Sequence, residues 1–274
     1  MTDMAVSGGE FRISACFTKS LSAFFANFVS FNLLGLLIMV PGFLVITLLF
    51  GAAFAGTMLL NPGTSPESFG FGVFQFAVAF GGWVLLISLQ YLLIAVIVYG
   101  TLQYLQGKRP GFLPPLLQGF RRLFPIVGVA VITSILFLIG FILLIVPGVI
   151  IALMLCVAIP VVMVERPGVL AALSRSRELT KGSRWSLFGL FLVTMLSITV
   201  VQFVVAVPLD SLLFSDALTF TIGVTVGVII GAIASLAVQL FTTVFIAVVI
   251  GVAYHDLRVA KEGVSTEQIA AVFD

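Results

Sequence analysis

The chain has 274 residues, of which 61% are hydrophobic and only 9% are charged, and its mean hydropathy is +1.29. Soluble domains carry charge on about a quarter of their residues, so this composition excludes a soluble protein and indicates one integral membrane domain over 1–274. The net charge is +2, and two cysteines, Cys16 and Cys156, are too few for a disulfide framework. Asp3 and Glu10 precede the first apolar run, so we expect no cleaved signal peptide.

The N-terminal third predicts one interfacial helix and two spans. Residues 11–27 mix Phe and Leu with basic and hydroxyl residues, which is typical of a helix lying in the membrane interface. Residues 28–60 predict the first span, with a kink at Pro41. The polar stretch 61–70 predicts a loop, and the apolar run 71–105 predicts the second span.

The middle of the chain predicts a second interfacial helix and a hairpin. Basic residues alternate with Phe and Leu within 107–125, as on an interfacial helix. The apolar runs 126–146 and 149–164 predict the third and fourth spans, joined by a turn at Pro147-Gly148. The fourth run is short, so a hairpin that crosses the membrane and a re-entrant one are both open alternatives.

The most polar stretch outside the termini is 165–185, ERPGVLAALSRSRELTKGSRW. Pro167 suits the first turn of a helix and Gly182 suits its end, because proline lacks an N–H and glycine accepts positive φ. The apolar strip of this helix is predicted to comprise Val169, Leu170 and Leu173. We therefore expect a helix on the membrane surface with this strip facing the lipid and its Arg and Lys residues in water.

The C-terminal part predicts two more spans, 186–207 and 219–254, separated by the loop 208–218 and followed by a polar tail, 255–274. All thirteen Lys and Arg residues fall in the N-terminus, in 107–125, in 165–185 or in the tail. Cytoplasmic loops are enriched in these residues. The chain is therefore predicted to be an all-α integral membrane protein with six transmembrane helices in three hairpins, cytoplasmic interfacial helices and both termini in the cytoplasm.

The basic residues near the membrane have two interpretations. They satisfy the positive-inside rule, and they also suit contact with anionic lipid head groups, where each Lys or Arg contributes about 1 kcal/mol. The predicted lipid-contact residues are Lys108, Arg109, Arg121, Arg122, Arg175, Arg177, Lys181 and Arg184. Glu165 lies at the exit of the fourth span, and we expect it to form a structural ion pair with Arg175 or Arg177.

Small residues recur every four positions in the sixth span, at Gly223, Gly227, Gly231 and Ser235. This spacing favours close approach of another helix, either within the bundle or in a homodimer. The amide side chains within the spans include Asn32, Gln90, Gln202 and Gln239. Hydrogen bonding between helices is a simpler interpretation of these residues than a substrate site.

Asp, Glu, Lys, Arg and His are missing from the predicted spans, which argues against a proton relay or a charge-lined pore. His255 is the only histidine, so neither a metal site nor a serine nucleophile with a histidine base is expected. No phosphate-binding loop or hydrolase motif occurs. We predict no enzymatic activity, no cofactor and no nucleic-acid partner.

Residues 160–185 resemble the signature of the glycerophosphoryl diester phosphodiesterase membrane-domain family. The residues that carry this resemblance are Pro160, Glu165, Gly168, Ala172, Leu173, Ser176, Leu179, Thr180, Lys181, Gly182 and Trp185, with a second match at 254–258 and 262–263. The resemblance implies six spans, cytoplasmic amphipathic helices, a bacterial inner-membrane location and a lipid-related role. The catalytic barrel of that family's larger members is absent, so no catalytic residue carries over.

These patterns favour a non-enzymatic inner-membrane protein that acts as a lipid-associated scaffold or membrane organiser. A transporter or channel for a small or lipophilic molecule is the alternative, and a membrane subunit that partners a separate enzyme is a third interpretation.

Overall fold

The computed structural model describes residues 11–60, 69–108, 110–206 and 224–263, which are almost entirely helical and contain no strand. In chain order its helices are α1 (Ile13–Ala26), α2 (Phe28–Leu60), α3 (Phe69–Leu105), α4 (Leu113–Arg121), α5 (Leu123–Leu143), α6 (Ile145–Leu155), α7 (Ala158–Val164), α8 (Val169–Thr180), α9 (Arg184–Val201), a π-helical turn (Gln202–Ala206) and α10 (Val224–Glu262).

Six helical segments are long and apolar enough to cross a membrane, which confirms the predicted all-α architecture and makes the chain a multi-pass integral membrane protein. The segments are Phe28–Ala53, Phe76–Leu105, Leu123–Leu143, Ile145–Val164, Arg184–Val204 and Ile233–Glu262. Most of the predicted loop 61–70, the loop 208–218, residues 1–10 and the end of the tail lie outside the described residues.

Helices α3 and α10 form the centre of the bundle. They approach closely where Gly251 faces Thr101, because a Cβ at Gly251 would already lie 3.2 Å from the Cβ of Thr101. Gln90 Nε2 donates to Thr243 Oγ1 at 2.9 Å, so this amide side chain joins the two helices as the sequence predicts. Gly35 of α2 packs on Leu240 of α10.

Helix α1 is more deeply packed than an interfacial helix. Its buried face consists of Cys16, Ser20, Ala23 and Phe24. Phe24 contacts Phe241 of α10 edge to face, with ring centroids 5.1 Å apart. Burial, followed by the negative charge of Asp256, raises the pKa of the Cys16 thiol to about 12. Cys16 therefore belongs to the protein core and is an unreactive thiol.

Two predicted boundaries are wrong. The turn between α5 and α6 lies at Leu144, whose backbone is extended, and Pro147 falls in the first turn of α6, where its missing N–H breaks no helical hydrogen bond. Helix α10 continues to Glu262, so residues 255–262 are helical and do not begin a loose tail. Ion pairs to other helices, described below, fix this last part of α10.

Candidate lipid-contact site at the basic end of the bundle

The corner between α7 and α8 positions the candidate site. All seven residues of α7 are buried, and Glu165 follows directly as its C-cap. Pro167 prevents the helix from continuing, because it has no N–H to donate and restricts the residue before it. That residue, Arg166, has a φ of 58°, the only positive φ among the described residues other than glycine. Gly168 then caps the N-terminus of α8.

Glu165 joins α7 to two other helices. Its Oε2 accepts a hydrogen bond from Arg175 Nε of α8 at 2.9 Å, and its Oε1 accepts one from the Tyr254 hydroxyl of α10 at 3.0 Å. Of the two expected partners, Arg175 therefore pairs with Glu165. Arg177 is exposed and forms no ion pair with any described carboxylate.

The bonds of Glu165 belong to a larger ion-pair network, which consists of Glu165, Arg175, Tyr254, Arg258 and Glu262. Arg175 also pairs with Glu262, and Glu262 Oε2 accepts from Arg258 Nε at 2.9 Å. The side chains of Glu165 and Arg175 are only 18% and 32% exposed. The network therefore holds α7, α8 and α10 together through charge-assisted hydrogen bonds in partial shelter from water. We call this end of the bundle, where Lys19 of α1 also pairs with Asp256 of α10, the basic end.

Helix α8 packs on the bundle through small and hydroxyl residues. Its buried residues are Ala172, Ser176, Leu179 and Thr180, whereas Leu170 is 73% exposed and Val169 and Leu173 are half-buried. The hydroxyl of Ser176 donates to the backbone carbonyl of Met154 at 2.8 Å. The strip is predicted to face lipid, so the exposed side chain of Leu170 leaves that prediction as it stands. The face of α8 that packs on α6 consists instead of small and hydroxyl residues, which find a carbonyl there that the sequence pattern does not reveal.

A polar recess of about 340 Å³ adjoins the ion-pair network, lined by Val164, Glu165, Arg166 and Arg258. Glu165 and Arg258 are engaged in the network, whereas Arg166 is exposed and has no acidic partner among the described residues. Arg166 is close enough to Arg122 for its charge, after burial, to lower the pKa of Arg122. The recess is therefore lined by one guanidinium group that has no acidic partner among the described residues, that of Arg166.

The predicted lipid-contact residues that the structure describes do not line the recess. Lys108, Arg121, Arg177 and Lys181 are exposed, Arg184 is half-buried, and Arg109 lies outside the described residues. Arg122 Nη1 donates to the carbonyl of Val162 at 3.5 Å, which brings it to the end of α7. Sequence reasoning missed Arg166 and Arg258 as members of the same cluster, since their positions are 92 residues apart in the chain.

The small-residue stripe is only partly described. Gly231 is buried and Ser235 is exposed, so the stripe does not form one continuous packed face over these two positions. Gly223 and the surroundings of Gly227 lie outside the described part of the chain. The choice between packing within the bundle and a homodimer interface therefore stays a prediction.

An apolar cavity of about 430 Å³ lies between α3, α5, α6, α9 and α10. Its hydroxyl groups are those of Tyr91 and Thr133, which are 3.1 Å apart and hydrogen-bonded to each other. Gln202 and Gln239 are exposed and do not line it. Asn32 donates to the carbonyl of Phe28 on its own helix. These four amide side chains therefore do not converge on a polar pocket.

Potential metal ligands do not cluster in the described ranges, where no three His, Cys, Asp or Glu side chains lie together. His255 contacts its neighbour Asp256, with 3.3 Å between Nδ1 and Oδ1. What the basic end offers chemically is therefore a set of fixed cations next to a recess.

Comparisons of the chain with protein-family models, with curated proteins and with solved structures found no match. Membership of the glycerophosphoryl diester phosphodiesterase membrane-domain family therefore stays a prediction, carried by the residues in 160–185 and 254–263.

Proposed function

We propose that this protein is a non-enzymatic, lipid-associated organiser of the membrane that binds anionic head groups at its basic end. The observation that carries the proposal is the recess beside Glu165, which Arg166 lines without an acidic partner among the described residues. A phosphate placed there would supply the counter-charge of Arg166, and Arg122 is near enough to add to the attraction. Guanidinium groups suit phosphate because they donate two parallel hydrogen bonds to it.

The packing of α8 supports this proposal. The ion-pair network fixes Arg175 on one side of α8, and the exposed Arg177 and Lys181 project on the other. The recess therefore lies on a rigid corner, and an exposed basic surface adjoins it. A preorganised site loses little side-chain freedom when a head group binds.

The proposal extends to location. The distribution of Lys and Arg supports a cytoplasmic basic end and cytoplasmic termini, and the resemblance to the phosphodiesterase membrane domains supports a bacterial inner membrane. A separate membrane protein or a second copy of the chain is the other partner class that this role allows.

Lipid enrichment around the purified protein tests the proposal. The full chain would be placed in nanodiscs of phosphatidylcholine with a minority of phosphatidylglycerol, and the lipids retained on it would be counted by native mass spectrometry. We expect selective retention of phosphatidylglycerol. Arg166→Gln should lower its apparent affinity about fivefold, since one basic residue contributes about 1 kcal/mol.

Arg177→Gln is the matched control, because it removes the same charge from an exposed position of α8 outside the recess. A smaller loss for Arg177→Gln than for Arg166→Gln supports a defined head-group site. Retention of the two lipids in their bulk ratio would overturn the lipid-organiser proposal.

A second candidate function is the binding or transport of a lipophilic molecule, and the apolar cavity between α5, α6 and α9 favours it. Its volume of about 430 Å³ is within the range of small-molecule sites. Ala152→Phe would fill the cavity, whereas Val200→Phe adds the same ring on an exposed face of α9. A lipophilic molecule that is extracted with the natural chain and with Val200→Phe, but not with Ala152→Phe, would favour this function over the first.

A further inference from the structure

The hairpin of α5 and α6 is unusually tight. Only one extended residue, Leu144, separates the two helices. Near this tip, a Cβ at Gly140 would lie 2.9 Å from the Cα of Gly148, so the two backbones are almost in contact. We call residues 141–146 the hairpin tip.

Helices α4 and α5 pack on the same part of α3. Gly119 of α4 packs on Leu92 and Val96, and Thr133 of α5 is hydrogen-bonded to Tyr91.

Helix α8 limits the depth of the hairpin. Its first residue, Val169, faces Gly128 of α5, and Ser176 bonds to Met154 of α6, so α8 runs beside both helices. Arg177 and Lys181 are exposed on α8, which keeps this helix at the aqueous surface. From Met154 to the start of α6 is about 13 Å of helix, so the hairpin tip lies within about 20 Å of α8. A hydrocarbon core is about 30 Å thick.

A groove of about 450 Å³ leads to the same conclusion. Ile145 and Val146 of the hairpin tip line it together with Arg184 and Trp185, which begin α9 at the basic end. A tip that had crossed the membrane would lie at the opposite end of α9.

The composition of the hairpin tip matches the hydrocarbon interior. Its six residues, Phe141 to Val146, are apolar, and each is between 49% and 74% exposed. The two predicted loops that also lack Lys and Arg, 61–70 and 208–218, differ from the hairpin tip because they carry polar and charged residues, such as Glu67 and Asp210. In water, six exposed apolar side chains would be strongly unfavourable, whereas acyl chains solvate them without cost.

We infer that the α5–α6 hairpin enters and leaves the membrane at the basic end and lies as an apolar wedge in that leaflet. Its partner is the acyl layer of one leaflet. Four helices then cross the membrane, and the chain ends remain on the same side. The inference deepens the proposed function and rests on it in one respect, since a wedge in a single leaflet gives the organiser a physical means of changing the packing of that leaflet.

The depth of a spin label at the hairpin tip tests the inference. The full-length Leu144→Cys variant would be labelled with a nitroxide and reconstituted in vesicles of phosphatidylcholine alone. Its accessibility to oxygen and to a water-soluble nickel chelate gives its depth. We expect high oxygen and low nickel accessibility, as for a site inside the hydrocarbon. High nickel accessibility, equal to that of a label at Ser211→Cys in the loop 208–218, would overturn the inference.

Two controls make the outcome unambiguous. Cys16 is fully buried and Cys156 is part of the cavity lining, so the natural chain should bind little label, and its signal is subtracted. Arg177→Cys reports the basic surface and should show high nickel accessibility. Because these vesicles contain no anionic lipid, a failure of head-group binding leaves the depth unchanged, and the two proposals fail separately.

Discussion

The two ends of the hairpin that α5, α6 and α7 form are held in opposite ways. At Glu165 the chain is fixed to α8 and α10 by charge-assisted hydrogen bonds in a half-buried setting. At Leu144, 21 residues earlier, six consecutive apolar side chains are exposed. The comparison indicates that protein contacts fix the first end, whereas the surrounding lipid must stabilise the second. Substitutions at the two ends should therefore respond differently to detergent and to salt.

Gly140→Leu should have the largest effect. The new side chain would overlap the backbone of α6 at Gly148, which cannot move aside as a flexible side chain does. Overpacking of this kind costs about 3 kcal/mol or more, so we expect loss of the monodisperse peak in size-exclusion chromatography. Gly81→Leu is the control, because its Cβ meets nothing within 4 Å. Equal behaviour of the two variants would show that the tight hairpin is not needed for folding.

Leu144→Asp should have the next largest effect. A carboxylate inside the hydrocarbon costs about 3 kcal/mol, so the yield of folded protein in membranes should fall sharply. Leu113→Asp places the same charge on an exposed residue at the start of α4 and should be tolerated. A tip that reaches water on the far side would tolerate Leu144→Asp as well as the control does, and this result would contradict the single-leaflet hairpin.

Glu165→Gln should destabilise the opposite end by about 1–2 kcal/mol, because Arg175 loses a charged acceptor in a half-buried site. Thermal unfolding should shift down, and trypsin should cleave within 165–185 more rapidly. Glu178→Gln is the matched control, since its carboxylate is 66% exposed and lies 3.8 Å from Arg175. Unchanged protease sensitivity in Glu165→Gln would show that the ion-pair network does not hold α8 against the bundle.

Lys19→Ala should have the smallest effect. The ion pair of Lys19 with Asp256 is 3.0 Å long, but the lysine side chain is 52% exposed, and such pairs contribute less than about 1 kcal/mol. We expect a small decrease of the unfolding temperature at low salt and none at high salt, where screening already weakens the pair. A larger loss that persists in high salt would mean that Lys19 acts through packing of its apolar stem.

The spans were predictable because long apolar runs are a local property of the sequence. The first predicted span, 28–60, agrees with α2 at both ends, and the second differs from α3 by two residues at its start. The partner of Glu165 could be narrowed to Arg175 or Arg177 because both lie within three turns of helix on the same short segment. Local spacing was sufficient for these features.

Contacts that depend on distant residues could not be read in the same way. The recess is formed partly by Arg258, which lies 92 positions after Arg166 in the chain. Which face of α8 packs on the bundle depends on the Met154 carbonyl of another helix, which accepts a hydrogen bond from Ser176. The depth that we infer for the hairpin follows from its contacts with α8 and with the start of α9, and apolar composition is the same for a helix that crosses and for one that does not. Packing between elements, not the pattern within one element, decides these features.

The backbone of Arg166 has one more consequence, for the balance between stability and ligand affinity. A left-handed φ of 58° is costly for an arginine, by about 1–2 kcal/mol, and almost free for glycine. Arg166→Gly should therefore raise the unfolding temperature of the protein and lower its affinity for phosphate-bearing ligands. A chain under selection for stability alone would carry glycine at this corner, and under the proposed function the charge of the arginine offsets that cost.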